Sequence, residues 1–248
     1  MINAIIEQAK NISGDVSMWY MDLTDGTSAA YNGDKPLVAA SVIKLFIMAE
    51  AFRRFEDGSM SPDEEFVIEP FMKMPSCGAL TYMHDGLRVT AMDLVVLMII
   101  LSDNSATNIL IDRLGIDSIN SLIESIGAEG CRLNRRLFDR EASRRGIQNY
   151  ITANGVGRLL KLIWDRQLIS ENASEKMLSI MTDQRLNGKI PFFLDCDVAH
   201  KTGEDDGTTH DAAIVMSEKP FILVMLSNNT HVPTYERFMQ DVARELAK

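Results

Sequence analysis

The stretch from His84 to Gly115, HDGLRVTAMDLVVLMIILSDNSATNILIDRLG, reads as two helices joined by a polar bend. Apolar residues dominate Thr90 to Leu101, and Thr90 can cap that helix. Ser105 to Leu114 forms the next one, closed by Gly115. Ser102-Asp103-Asn104 stands between them, where a bend can present polar side chains at a cleft. The apolar run from Leu94 to Leu101 is far too short to cross a bilayer.

Working outward, the helical period continues on both sides. Ser41 to Phe55 (SVIKLFIMAEAFRRF) is helical and ends at Asp57-Gly58. Ser118 to Ile126, Thr152 to Trp164 and Glu171 to Met181 follow downstream. The termini differ. After a first helix within Met1 to Ile12, Val16–Leu23 and Ser28–Tyr31 form a hairpin around Asp25-Gly26. Val198–Thr202, Ala212–Met216 and Phe221–Ser227 are short strands with joining lengths that suit antiparallel neighbours. Thr234 to Leu246 is a closing amphipathic helix. The pattern predicts an α+β fold: an antiparallel sheet built from both termini, covered by helices, with an inserted all-α domain. Residues 1–36 and 185–248 are expected in the sheet lobe and 37–184 in the helical lobe. With no Pro/Gly-rich linker, repeat or low-complexity tract, the lobes are expected to pack as one unit.

Composition narrows the function classes. The chain has 248 residues, 46% hydrophobic and 24% charged, enough to bury a core without staples. Its 25 basic and 35 acidic residues give a net charge of −10, which opposes unspecific binding to nucleic acid or an anionic membrane. Three cysteines, Cys77, Cys131 and Cys196, are too few for a disulfide framework and show no metal-ligand spacing, so plain buried thiols are expected. No metal or other cofactor is implied. The N-terminal stretch carries Glu7 and Lys10 and no long apolar run, unlike a signal peptide or membrane span. The expectation is a monomer, cytoplasmic as the chain stands, or secreted or periplasmic if a leader was removed.

Three short motifs stand in order: Ser41-Val42-Ile43-Lys44, Ser102-Asp103-Asn104 and Lys201-Thr202-Gly203. The first alone is weak, since two specified positions recur by chance about once in a chain this long. Context gives the set its force. Ser41 opens a helix, where free backbone N–H groups favour an oxyanion. Lys44 lies three residues on, among Val42, Ile43, Leu45 and Phe46, so desolvation should lower its pKa and free an amine to take a hydroxyl proton. Lys201-Thr202-Gly203 ends a strand whose edge can bind a substrate amide.

With these motifs the sequence resembles the serine β-lactamase and penicillin-binding superfamily, most closely its class A β-lactamase branch, over nearly the whole chain. The resemblance implies Ser41 as the acylated nucleophile and Lys44 as general base or proton relay. Ser102 would pass the proton to the leaving nitrogen, and Asn104 would hold the substrate's side-chain amide. Lys201 and Thr202 would bind its carboxylate. The N–H groups of Ser41 and of Glu204, the residue after Gly203, would form the oxyanion hole. The implied substrate is a small β-lactam or peptidoglycan-like molecule.

Two departures qualify the activity. Class A enzymes carry a glutamate on the omega loop, in an E-x-x-x-N pattern, that activates the deacylating water. Anchoring on Arg135 puts Leu137 at that position, and Asp139 and Glu141 are the neighbouring carboxylates, expected in loop salt bridges with the surrounding arginines, with activation of water by either as the alternative. Where class A enzymes commonly have a carboxylate-binding arginine, the ungapped count puts His210, followed by Asp211. His210 is therefore expected either to bind substrate, with affinity that depends on pH near neutrality, or to form a structural pair with Asp211. His84, His200 and His231 are expected at the surface or in packing. The expected activity is β-lactam hydrolysis through an acyl-enzyme, weakened in deacylation. The alternatives are a D-Ala-D-Ala peptidase or esterase with the same machinery, and an acylation-only penicillin-binding protein or sensor.

Overall fold

The computed structural model describes residues 1–248. Helix α1 (Ile2–Ala9) precedes a hairpin of β1 (Asp15–Asp22) and β2 (Ser28–Tyr31). A short strand β3 (Leu37–Val38) and a single 3-10 turn, Ala40–Ile43, lead into α2 (Lys44–Glu56). The hairpin β4 (Glu65–Ile68) and β5 (Leu87–Thr90) comes next, a feature the periodicity did not predict. The helical region holds α3 (Ala91–Ile100), α4 (Asn104–Leu114), α5 (Ile116–Ser125) and the short α6 (Arg140–Arg144). After β6 (Tyr150–Ile151), which pairs with β3, come α7 (Ala153–Trp164) and α8 (Glu171–Thr182). Strands β7 (Val198–Asp205), β8 (Thr208–Val215) and β9 (Phe221–Asn228) and helix α9 (Val232–Leu246) finish the chain.

The five long-sheet strands run in the order β2-β1-β9-β8-β7 and pair antiparallel throughout. The α+β architecture, with the sheet drawn from both ends of the chain, is as expected. One sheet face buries Met18, Leu223 and Met225 against Ile5 of α1 and Tyr235 and Met239 of α9. The other buries Ile214, Ile222 and Val224 in a core that runs on through Leu159 of α7 to Phe46 of α2 and Met98 of α3. Helices therefore pack on both faces of the sheet. No helix is long and apolar enough to cross a membrane.

Local chemistry sets the boundaries that matter for the site. Thr90 caps α3 in a reciprocal box: its side chain accepts from Asp93 N, and Asp93 accepts from Thr90 N. The helix stops because Ser102 adopts φ +55°, a left-handed conformation that a non-glycine residue rarely takes. Two expectations are corrected. Ser41 to Phe55 is not one α-helix, because Ala40 at φ +41° forces a tight 3-10 turn around Ser41 before α2 begins at Lys44. Lys201-Thr202-Gly203 does not end its strand. Strand β7 continues to Asp205, since the reversal waits for Gly207 at φ +59°.

Candidate active site

The three motifs converge from three directions. The Ser41 turn, the Ser102 bend between α3 and α4, and the middle of β7 meet at a cleft of about 610 Å³. Ser41, Asn104 and Glu204 line it, with Cys77 and Leu137. Lys44, Ser102 and Lys201 lie behind that lining, each almost wholly buried. Strand β7 is the edge strand of the sheet, and at Gly203 it runs against the Ser41 turn. A Cβ at Gly203 would stand 3.0 Å from His210 Cδ2, 3.2 Å from Val42 Cγ2 and 3.3 Å from Ala40 Cβ. A side chain there would have to displace His210 or the Ser41 turn by a few tenths of an ångström.

Two lysines share one hydroxyl. Lys44 Nζ lies 2.8 Å from Ser102 O, 3.0 Å from Ser102 Oγ and 2.8 Å from Asn104 Oδ1. Lys201 Nζ donates to Ser102 Oγ at 3.1 Å and to Thr202 O at 2.8 Å. Burial, with Lys201 close by, holds the Lys44 pKa well below the usual lysine range. Burial, reinforced by the Lys189 charge, brings Lys201 down to about 7. A neutral Lys44 amine fits its three neighbours. Two N–H bonds satisfy the carbonyl oxygens of Ser102 and Asn104, and its lone pair can take the Ser102 hydroxyl proton. The result is a proton path from Lys201 through Ser102 Oγ to Lys44. Lys44 reaches Ser102 and Asn104 in this arrangement rather than Ser41.

Asp103 has a role the motif reading missed. Fully buried, it caps α4 by accepting from Ala106 N at 3.0 Å, and its other oxygen accepts from Ala79 N at 2.7 Å and Leu80 N at 2.8 Å. It thereby ties the Cys77 loop to the start of α4, where Asn104 Nδ2 donates to Pro75 O at 3.2 Å. Cys77 is half-buried on the cleft wall, which corrects the expectation of a plain buried thiol; Cys131 alone of the three is buried.

His210 is also a correction. It is wholly buried, its Nε2 donates to Val38 O at 2.8 Å, and its Nδ1 accepts from Ser227 N at 3.0 Å. Both ring nitrogens are committed to backbone, and burial lowers the pKa to about 4, so no imidazolium faces the cleft near neutral pH. The His–Asp pair involves a different histidine. Asp211 Oδ1 meets His200 Nδ1 at 2.9 Å, and both are buried, because neighbouring strand residues such as His210 and Asp211 point to opposite faces. Thr202 is buried on β7, and Glu204 leans outward to Lys189 Nζ at 3.1 Å.

In the loop before α6, Leu137 lines the cleft with its backbone clamped by Asn108 of α4. Leu137 N donates to Asn108 Oδ1 at 2.9 Å, and Asn108 Nδ2 donates to Leu137 O at 3.0 Å. Asp139 does not form the expected salt bridge. Its carboxylate caps α6, accepting from Ala142 N at 2.9 Å, while the nearby Arg136 pairs with Asp112.

The family model described as Beta-lactamase enzyme family matches residues 1–248. An imipenem-hydrolyzing beta-lactamase from Enterobacter cloacae is 24% identical over 224 residues, covering 85% of this chain and 76% of that protein. The crystal structure of a beta-lactamase from Sphaerobacter thermophilus DSM 20745 superposes with a TM-score of 0.90 at 25% identity, covering 99% of this chain and 95% of that one. A leucine-to-glutamate mutant of PBP-A, described as an acyl-enzyme complex with penicillin G, superposes with a TM-score of 0.88 at 25% identity, covering 99% and 94%.

Proposed function

The chain belongs to the beta-lactamase enzyme family, and on that premise we propose that it is a serine hydrolase acylated on Ser41 by a β-lactam amide, with slow release of the acyl group. The observation that carries this reading is the Ser102 hydroxyl held between two buried, pKa-lowered lysines behind the cleft that Ser41 lines. Lys44, which contacts Ser102 and Asn104 before substrate binds, turns to Ser41 and takes its hydroxyl proton as Oγ attacks the carbonyl carbon. The tetrahedral oxyanion is met by the N–H groups of Ser41 and Glu204. The carbon–nitrogen bond then breaks, and the nitrogen receives a proton from Ser102, which is refilled from Lys44. Lys201 and Thr202 hold the substrate carboxylate, and Asn104 holds the side-chain amide once substrate displaces its present contacts. The acyl group is left as an ester on Ser41. Hydrolysis of that ester needs an activated water, and Leu137 supplies no base.

The same leucine favours a second reading, a D-Ala-D-Ala peptidase or esterase using the same residues, or a protein that is acylated and stops. Similarity to the PBP-A mutant described as an acyl-enzyme with penicillin G is compatible with it. A time course with a chromogenic cephalosporin, read beside intact-protein mass, separates these. We expect a burst, an adduct on Ser41 and a slow steady phase; Ser41→Ala should give neither burst nor adduct. Covalent labelling that survives Ser41→Ala would refute the nucleophile assignment. Brisk turnover of a D-Ala-D-Ala peptide with negligible β-lactam turnover would select the second reading.

A further inference from the structure

Lys189 belongs to none of the motifs, yet it is a buried cation with 3% of its surface exposed. Its Nζ donates at 3.2 Å to Gly203 O and at 3.2 Å to His210 O, two residues that face each other across β7 and β8. It also meets Glu204 at 3.1 Å and Glu236 at 3.8 Å. Strand alternation fixes where it stands. The Cβ direction of Gly203 faces Ala40 and Val42, so the next side chain, Glu204, leaves the opposite face and meets Lys189 there.

The contact to Gly203 O bears on chemistry because of peptide geometry. Gly203 C=O and Glu204 N–H are the two ends of one planar trans unit and point in opposite directions. An ammonium bonded to the oxygen end restrains the plane and draws electron density from the nitrogen end, which strengthens the N–H as a donor. Its charge also lowers the pKa of Lys201.

We propose that Lys189 is a positioning residue for the oxyanion hole, holding and polarising the Gly203–Glu204 peptide whose N–H receives the developing oxyanion. The proposal rests on the acyl-transfer reading of the site. A merely structural lysine would neutralise Glu204 and Glu236 and leave the donor strength of the peptide unchanged.

The test compares wild type with Lys189→Met and Lys189→Arg. Two quantities are read: the single-turnover rate of acylation by a penicillin, and the infrared stretch of the ester carbonyl on Ser41. Lys189→Met should acylate about 10- to 100-fold more slowly, less than the loss of a whole oxyanion donor, with the preceding non-covalent Kd within about twofold of wild type. Its ester carbonyl should absorb at higher wavenumber, reporting a weaker hydrogen bond. Lys189→Arg, which keeps the charge and donors, should recover most of both changes. If Lys189→Met does not fold by circular dichroism, Lys189→Gln makes the same comparison with a neutral donor. An unchanged acylation rate, or slower acylation with an unmoved carbonyl stretch, overturns the proposal alone. A wild-type protein that forms no ester on Ser41 overturns the acyl-transfer reading and this proposal with it.

Discussion

Leu137 and the two site lysines are the single residues whose chemistry sets deacylation and pH dependence in the proposed mechanism. Leu137 has its backbone fixed by Asn108, so a glutamate placed there would present its carboxylate from a held position on the cleft wall. We expect Leu137→Glu to raise steady-state β-lactam turnover by about 10²-fold, the lower end of a general-base contribution, with the acylation burst unchanged. A variant with the same steady rate as wild type would show that deacylation is limited elsewhere. The lysines set the pH profile. In the proposed mechanism acylation needs Lys44 neutral and carboxylate binding needs Lys201 charged, so kcat/KM rises with pH as Lys44 loses its proton. It falls as Lys201 loses its own, when pH passes through about 7. In Lys201→Arg the guanidinium stays charged, and the falling limb should vanish below pH 9 in a penicillin acylation series. That limb replaces the His210 dependence expected from the sequence, because His210 is neutral above about 4.

The helices position the site through their ends. The bend between α3 and α4 exists because Ser102 turns left-handed and Asp103 caps α4. Asp103 also satisfies the N–H groups of Ala79 and Leu80, so one carboxylate fixes both the helix that carries Asn104 and the loop that carries Cys77. Asp103→Ala should cost about 2–4 kcal/mol, from one lost cap and two orphaned donors, read as a lowered melting temperature. A loss below about 1 kcal/mol, typical of an exposed cap alone, would mean that the loop tie is dispensable. The edge position of β7 follows the same logic. Only a strand with no further sheet neighbour can offer its backbone to a substrate, and Gly203 is what lets it approach the Ser41 turn.

On the scale of the whole molecule, helices pack on both faces of the sheet, and α7 lies close against β1. A Cβ at Gly157 of α7 would stand 2.3 Å from Trp19 Cε3 on β1. Alanine is the better helix former, by about 1 kcal/mol. Packing outweighs propensity here: Gly157→Ala should destabilise the protein by about 1–3 kcal/mol through overpacking. Acylation per folded molecule should be unchanged. A raised melting temperature would show that α7 and the sheet have room to part.

The sequence by itself determined the α+β order, most helix ends and the three motifs, because these depend on local chemistry: apolar period, caps, and Gly or Asp-Gly stops. Thr90 and Gly115 could be read as helix boundaries for that reason. That Leu137 lines the cleft was not legible, because it depends on how its loop is held by Asn108 of α4. Tertiary structure alone decided which groups share a proton and which are silenced. The bridging of Lys44 and Lys201 by Ser102, the burial that neutralises His210, the pairing of Asp211 with His200 and the reach of Lys189 to Gly203 join residues distant in the chain. Protonation state and donor geometry depend on desolvation and on which strand face a side chain leaves. Both are set only when β7, α2 and the Ser102 bend come together.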